Sequence, residues 1–142
     1  AADAQHIAAE FVNRFTVERR PLAALALTTD TSILTSIAND YSFEDVFSKQ
    51  IAALGERGDV ALGISTSGNS ANVIAGMKMA KALDLFAIGL TGGGGGELAD
   101  RCDLSLVVQS EKTPRIQETH IIAGHILCEL TDRILFPELF DD

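Results

Sequence analysis

Val60-Ala61-Leu62-Gly63-Ile64-Ser65-Thr66-Ser67-Gly68-Asn69-Ser70 passes from an apolar run into three hydroxyl residues, a glycine and an Asn-Ser pair. Val60 to Ile64 is short and almost wholly apolar, as a strand buried on both faces reads. Asn69 to Leu83 then reads as a long helix. A polar turn between a strand and a helix is the repeating joint of an α/β chain, and the same alternation extends in both directions.

Downstream, Leu85 to Leu90 and Leu104 to Val108 are two more apolar strands. Between them lie the five glycines Gly92 to Gly96 and a short helix to about Arg101. Pro114 opens a long helix, with Ile126, Leu130 and Ile134 in step, that ends before Pro137. Upstream, residues 4–17 form a predicted helix with Ile7, Phe11 and Phe15 on one stripe. Leu22 to Leu27 is expected to be a buried strand ahead of Thr28-Thr29-Asp30. Asp30 is placed to cap a helix to about residue 37. Phe43 to Leu54 carries helical spacing at Val46, Phe47 and Ile51. The fold class that follows is α/β, a three-layer α-β-α sandwich around a parallel sheet, with ligands expected beyond the carboxyl ends of the strands.

Composition fits one globular domain: 142 residues, 46% hydrophobic and 22% charged. A net charge of -9 argues against nucleic acid as the main partner. It leaves room for a small phosphorylated ligand held by local donors. No apolar run reaches the ~18 residues of a membrane span, and no secretory signal is visible. Cys102 and Cys128 match no metal spacing and read as reduced thiols. The expected location is the cytoplasm, with no membrane partner. The chain opens on Ala1-Ala2-Asp3 without Met, inside a predicted helix, so a leading segment is expected upstream.

Four groups of residues can carry chemistry. Ser65 to Ser70 offers hydroxyls and free N–H groups at a helix start, which suit an anion; a capped turn without ligand reads the same way. His6 and Glu10 share a helix face at i, i+4 spacing, fit for a metal or for a base beside an imidazole; a solvated charge stripe with Arg14 is the alternative. Gln117 and His125 stand about 80° apart around the last helix and about 12 Å apart along it, whereas His120 lies about 140° from His125. For both to reach one ligand, the helix bends or a second chain contributes. Asn39-Asp40, at a turn, suits sugar hydroxyls. The glycine run lacks donor side chains and is expected to be a flexible connection.

In combination and order, several marks resemble the phosphoheptose isomerases of the sugar isomerase (SIS) fold. They are Asp3-Ala4-Gln5-His6 with Glu10, Ala38-Asn39-Asp40-Tyr41, Gly58-Asp59-Val60, Ile64 to Ile74, Leu90-Thr91-Gly92 and Arg115-Ile116-Gln117-Glu118. The resemblance covers essentially the whole chain. It implies a flavodoxin-like SIS domain over residues 1–142, lacking its N-terminal helical region and first strand. It also implies isomerisation of sedoheptulose 7-phosphate, a phosphorylated seven-carbon sugar, to D-glycero-D-manno-heptose 7-phosphate for bacterial lipopolysaccharide precursors.

Residue by residue, Glu10 matches the catalytic base and His125 the acid. His6, Glu10, Gln117 and His125 match positions that bind zinc, one ion per subunit, in metal-containing members. Ser65, Thr66, Ser67 and Ser70 match the phosphate seat, and Asn39, Asp40 and Gln117 match substrate contacts. A homotetramer with active sites at subunit contacts is implied too. Pro114 departs from the Asp that some members carry. Two other readings stay within the fold: a non-enzymatic protein that binds the replication initiator, and a phosphosugar-sensing module. The initiator-binding relatives lack the acid and base that this chain carries at His125 and Glu10.

Overall fold

The computed structural model describes residues 1–140. In chain order its elements are α1 (Ala2–Val12), α2 (Thr31–Asp40), α3 (Ser48–Leu54), β1 (Val60–Ser65), α4 (Ala71–Ala82), β2 (Phe86–Gly92), α5 (Gly96–Arg101), β3 (Leu104–Val108) and α6 (Thr113–Leu135). Single 3-10 turns occupy Phe43–Asp45 and Pro137–Leu139. By their contacts the residues fall into two compact units, one of Ala1–Thr29 with the chain from Glu118 onward, the other of Asp30–Gln117.

The second unit holds the sheet. Its three strands are parallel in the order β1-β2-β3, with Gly63 opposite Gly89 and Leu90 opposite Leu106. Each strand connects to the next through a helix, as parallel neighbours require. Along β1 and β2 small residues alternate on one face: Ala61 and Gly63, Ala87 and Gly89. They let α4 and α5 lie close, and Ile74, Met77, Ala87 and Leu98 form the core there, with Val73 and Cys102 against it. On the other face Ile116, from the first turns of α6, fills the space above Gly92, where even a Cβ would come within 2.4 Å of it. The Asp30 carboxylate caps α2 by accepting from the Ile33 N–H at 2.9 Å, as its position before the helix predicts.

The first unit pairs α1 with the larger part of α6. Ile7, the buried residue of α1, lies on Gly124 of α6. No helix among the described residues is long and apolar enough to cross a membrane.

Two expectations need correction. Leu22 to Leu27 belongs to no sheet: residues 22–26 form no regular element and Leu27 enters a turn. A strand is defined by its hydrogen-bonded neighbour, and this segment is tethered otherwise: the Leu22 N–H donates to the Phe11 carbonyl at 3.0 Å. Nor does the first helix continue to residue 17. It stops at Val12, because the carbonyls of Glu10, Phe11 and Asn13 turn to the buried guanidinium of Arg19.

Candidate functional site

In the sheet unit, β1 delivers Ser65 to its carboxyl end, and the chain turns through Thr66–Asn69 into α4. The turn closes with the Gly68 N–H donating to the Ser65 carbonyl at 3.0 Å. Gly68 sits at φ +67, a left-handed conformation that favours glycine. Ser70 is the N-cap of α4, yet its hydroxyl caps nothing; it meets the Ser65 hydroxyl at 2.9 Å. Asn69 is fixed by donating to the Ser67 carbonyl and by accepting from the Glu97 N–H. Ser65 and Ser70 thus meet at one helix N-terminus, whose dipole and N–H groups favour an anion, with Thr66 and Ser67 on the turn between them; of the four, Thr66 and Ser67 line the adjoining cleft and Ser65 and Ser70 do not.

Thr66, Ser67 and Asn69 line a cleft of ≈ 470 Å³ whose opposite wall is the glycine run, joined by Ser110, Glu111 and Thr113. The run is therefore not the flexible connection expected from its composition. The Leu98 N–H holds the Gly68 carbonyl at 2.9 Å, Gly93 donates to Ser110, and Gly93, Gly95 and Gly96 all take positive φ. A Cβ on Gly68 would stand 1.9 Å from the Gly95 carbonyl oxygen. The glycines allow two loops to touch backbone to backbone and build one wall of the cleft.

Asn39 and Asp40 lie in the last turn of α2, exposed, with the Asn39 amide donating to the Asp40 carboxylate at 2.9 Å. They are not among the residues lining the cleft.

In the other unit, His6, Glu10 and His125 converge, their ligand atoms all within 4.8 Å of one another. The Nε2 atoms of His6 and His125 are 2.9 Å apart, and His6 Nε2 is 3.2 Å from Glu10 Oε1. Two nitrogens at that distance share one proton or offer two lone pairs to one point; with the carboxylate they could hold a divalent transition metal. Phe15 stacks on the His125 ring at 5.3 Å between centroids. Beneath the group, burial and then the carboxylates of Glu10 and Asp132 push the Cys128 thiol up to about 11, so it stays neutral. Gln117, two turns before His125 on α6, is exposed and belongs to the sheet unit. His120 is fully buried, outside the cluster.

Sequence reading missed Arg19, Asp132 and Gly124. Arg19 lies in the charged stretch Glu18-Arg19-Arg20 ahead of Pro21, which carries no sign of burial. Gly124 was the one available signal, since a glycine inside a helix costs stability and implies a packing reason.

Comparison with known proteins places this geometry. Residues 1–92 match the SIS domain family. The phosphoheptose isomerase of Nitratidesulfovibrio vulgaris is 61% identical over 139 residues, covering 98% of this chain and 67% of that protein. The chain thus spans about two thirds of that relative's length. Among solved structures, a phosphoheptose isomerase from Francisella tularensis superposes with a TM-score of 0.89 at 41% identity, covering 93% of this chain and 71% of that one. Phosphoheptose isomerase GmhA from Neisseria gonorrhoeae gives 0.87 at 53%, covering 92% and 70%. The α/β class read from the sequence is the fold these structures share, and the chain belongs to the SIS domain family, among the phosphoheptose isomerases.

Proposed function

We propose that this chain carries out aldose–ketose isomerisation of a phosphorylated heptose, converting sedoheptulose 7-phosphate to D-glycero-D-manno-heptose 7-phosphate in bacterial lipopolysaccharide precursor synthesis. The observation that carries the reading is the convergence of Glu10, His6 and His125 from two helices, in a chain 61% identical to a phosphoheptose isomerase. An initiator-binding protein would have no use for a carboxylate and an imidazole facing each other.

The chemistry divides between two groups of residues. The hydroxyls and N–H groups at Ser65 to Ser70 hold the phosphate, which needs donors and no proton transfer. Glu10, as a carboxylate, takes the proton from C1 of the ketose, and the electron pair moves to form the enediol. His125 passes a proton from the C1 hydroxyl to the C2 oxygen. Glu10 then returns its proton at C2, leaving the aldehyde at C1. Phe15 and His6 hold the His125 ring in place. Asn39 and Asp40 serve the sugar hydroxyls.

His6, Glu10 and His125 fit zinc by donor type and by their convergence, and Gln117 is the fourth position of the family pattern; a carboxylate bound to zinc is a poorer base, so the metal and base roles of Glu10 compete. When bound, such an ion acts as a Lewis acid that polarises the carbonyl and the hydroxyl beside it. Elemental analysis of purified protein, wild type against His6→Ala, tests the assignment: one zinc per subunit, lost in the variant. A cytoplasmic homotetramer completes the reading. Ile122, Ile126, Leu130 and Ile134 form an exposed apolar stripe on α6, Ile134 being 76% exposed, as a helix prepared for another subunit would. Light scattering would measure the assembly.

Glu10→Gln and His125→Ala in the full-length protein test the reaction. Each should lower kcat by about 10²–10⁴-fold, the usual worth of a positioned acid or base. If either converts sedoheptulose 7-phosphate at the wild-type rate, the catalytic assignment fails.

A further inference from the structure

We infer that the buried Arg19–Asp132 ion pair is a positioning device that sets Glu10 against His125. The inference rests on the reading of Glu10 and His125 as the reacting pair. Both side chains are essentially inaccessible, at 1% and 0%. Arg19 Nε donates to Asp132 Oδ1 at 2.8 Å. Its Nη2 donates to the main-chain carbonyl of Glu10 itself at 2.8 Å. Its Nη1 serves the carbonyls of Phe11 at 2.9 Å, Asn13 at 3.1 Å and Arg20 at 3.3 Å.

The Glu10 and Phe11 carbonyls are among those a helix leaves without partners at its C-terminus. Asn13 ends α1 at φ -86 and ψ -91, outside the usual left-handed cap. The guanidinium, brought back by a chain that bends at Asn13 and again at Phe15 to Val17, replaces that cap and complements the helix dipole. Its other partner stands on α6, seven residues beyond His125. Seven residues turn about 700°, so Asp132 shares the face of His125. Cys128, also buried, lies between them on that face. One cation therefore ties the peptide of Glu10 to the helix of His125.

A buried ion pair is a weak source of net stability, because desolvating both charges offsets much of their attraction. Its fixed geometry is what an apolar pair would lack. Arg can bridge several acceptors through one planar fork, and Lys cannot. On this reading Arg19 and Asp132 never touch substrate; they hold the base within reach of its partner.

The test uses Arg19→Lys, Asp132→Asn and the apolar double variant Arg19→Met/Asp132→Leu in the full-length protein. Each is assayed alone and in a Glu10→Gln background, with the folded fraction from circular dichroism. We expect kcat to fall by about 10–100-fold, as small misplacements of a reacting group do. KM should stay within about twofold, since the phosphate seat is untouched. In the Glu10→Gln background the same changes should cost almost nothing more. The double variant should keep its fold and still be slow.

The proposal is overturned if a folded variant keeps kcat within about twofold of wild type, or if the loss is equal with and without Glu10. It falls as well if the loss vanishes on correction for the folded fraction, or if none of the variants folds, for then the pair is simply a stabiliser. A Glu10→Gln enzyme with wild-type activity would instead remove the base assignment, an outcome read separately from the others.

Discussion

Gly124→Ala is the smallest change that should separate stability from catalysis. An added Cβ would stand 2.7 Å from Cδ1 and 2.9 Å from Cγ1 of Ile7. Carbon atoms rest at about 3.5–4.0 Å, so roughly 1 Å must be found. Ile7 is 5% exposed and cannot swing into solvent without giving up about 2 kcal/mol of burial. Overpacking of this kind costs about 1–3 kcal/mol, and replacing a helical glycine by alanine returns about 1 kcal/mol. The net loss is then about 0–2 kcal/mol, a fall in Tm of only a few degrees.

Catalysis has no such compensation. His6 is the neighbour of Ile7 and Glu10 lies three residues on, while His125 is the neighbour of Gly124. Moving α1 away by about 1 Å opens the 3.2 Å His6–Glu10 pair to a new geometry against His125 and should lower kcat by about 100-fold. The assay is kcat and KM for the ketose phosphate beside thermal unfolding. Ile7→Val removes the nearer atom and should recover part of the loss in the Gly124→Ala background. A Gly124→Ala enzyme with kcat within about twofold of wild type would refute the argument that this close approach sets the reacting geometry.

Gly68→Ala should damage binding instead. Its Cβ would meet the Gly95 carbonyl oxygen, backbone against backbone, at a φ that costs a non-glycine residue about 1–2 kcal/mol. The expected result is a KM at least about tenfold higher, checked by titrating inorganic phosphate into wild type and variant. Cys128 predicts an alkaline limit. Its folded thiol is pushed up to about 11 from 9.0, so the unfolded chain loses that proton first. Stability should be full below pH 9.0 and fall as pH rises towards 11, by on the order of 2 kcal/mol after allowance for solvent screening. Denaturant midpoints across that range would show it, and Cys128→Ala should flatten the decline.

What the sequence made legible is what neighbours within a few residues decide. The strand at Val60, the turn after it and the helix beyond were readable because period, hydroxyls and glycine lie in one stretch. Leu104–Val108 was found at its observed bounds for the same reason. The His6–Glu10 pair was visible at i, i+4. The meeting of His6 with His125, 119 residues apart, was not derivable from spacing and came only through family resemblance. Leu22 to Leu27 failed because a strand is a relation between segments, and its composition is silent on whether a partner lies alongside. The glycine run shows the same limit from the other side. Five glycines in isolation describe a chain free to move. Set against the Gly68 carbonyl, which the Leu98 N–H holds at 2.9 Å, their missing side chains become the condition for two loops to close on one another. The residue type sets what approach is possible, and the partner loop decides whether that freedom is used for motion or for a wall.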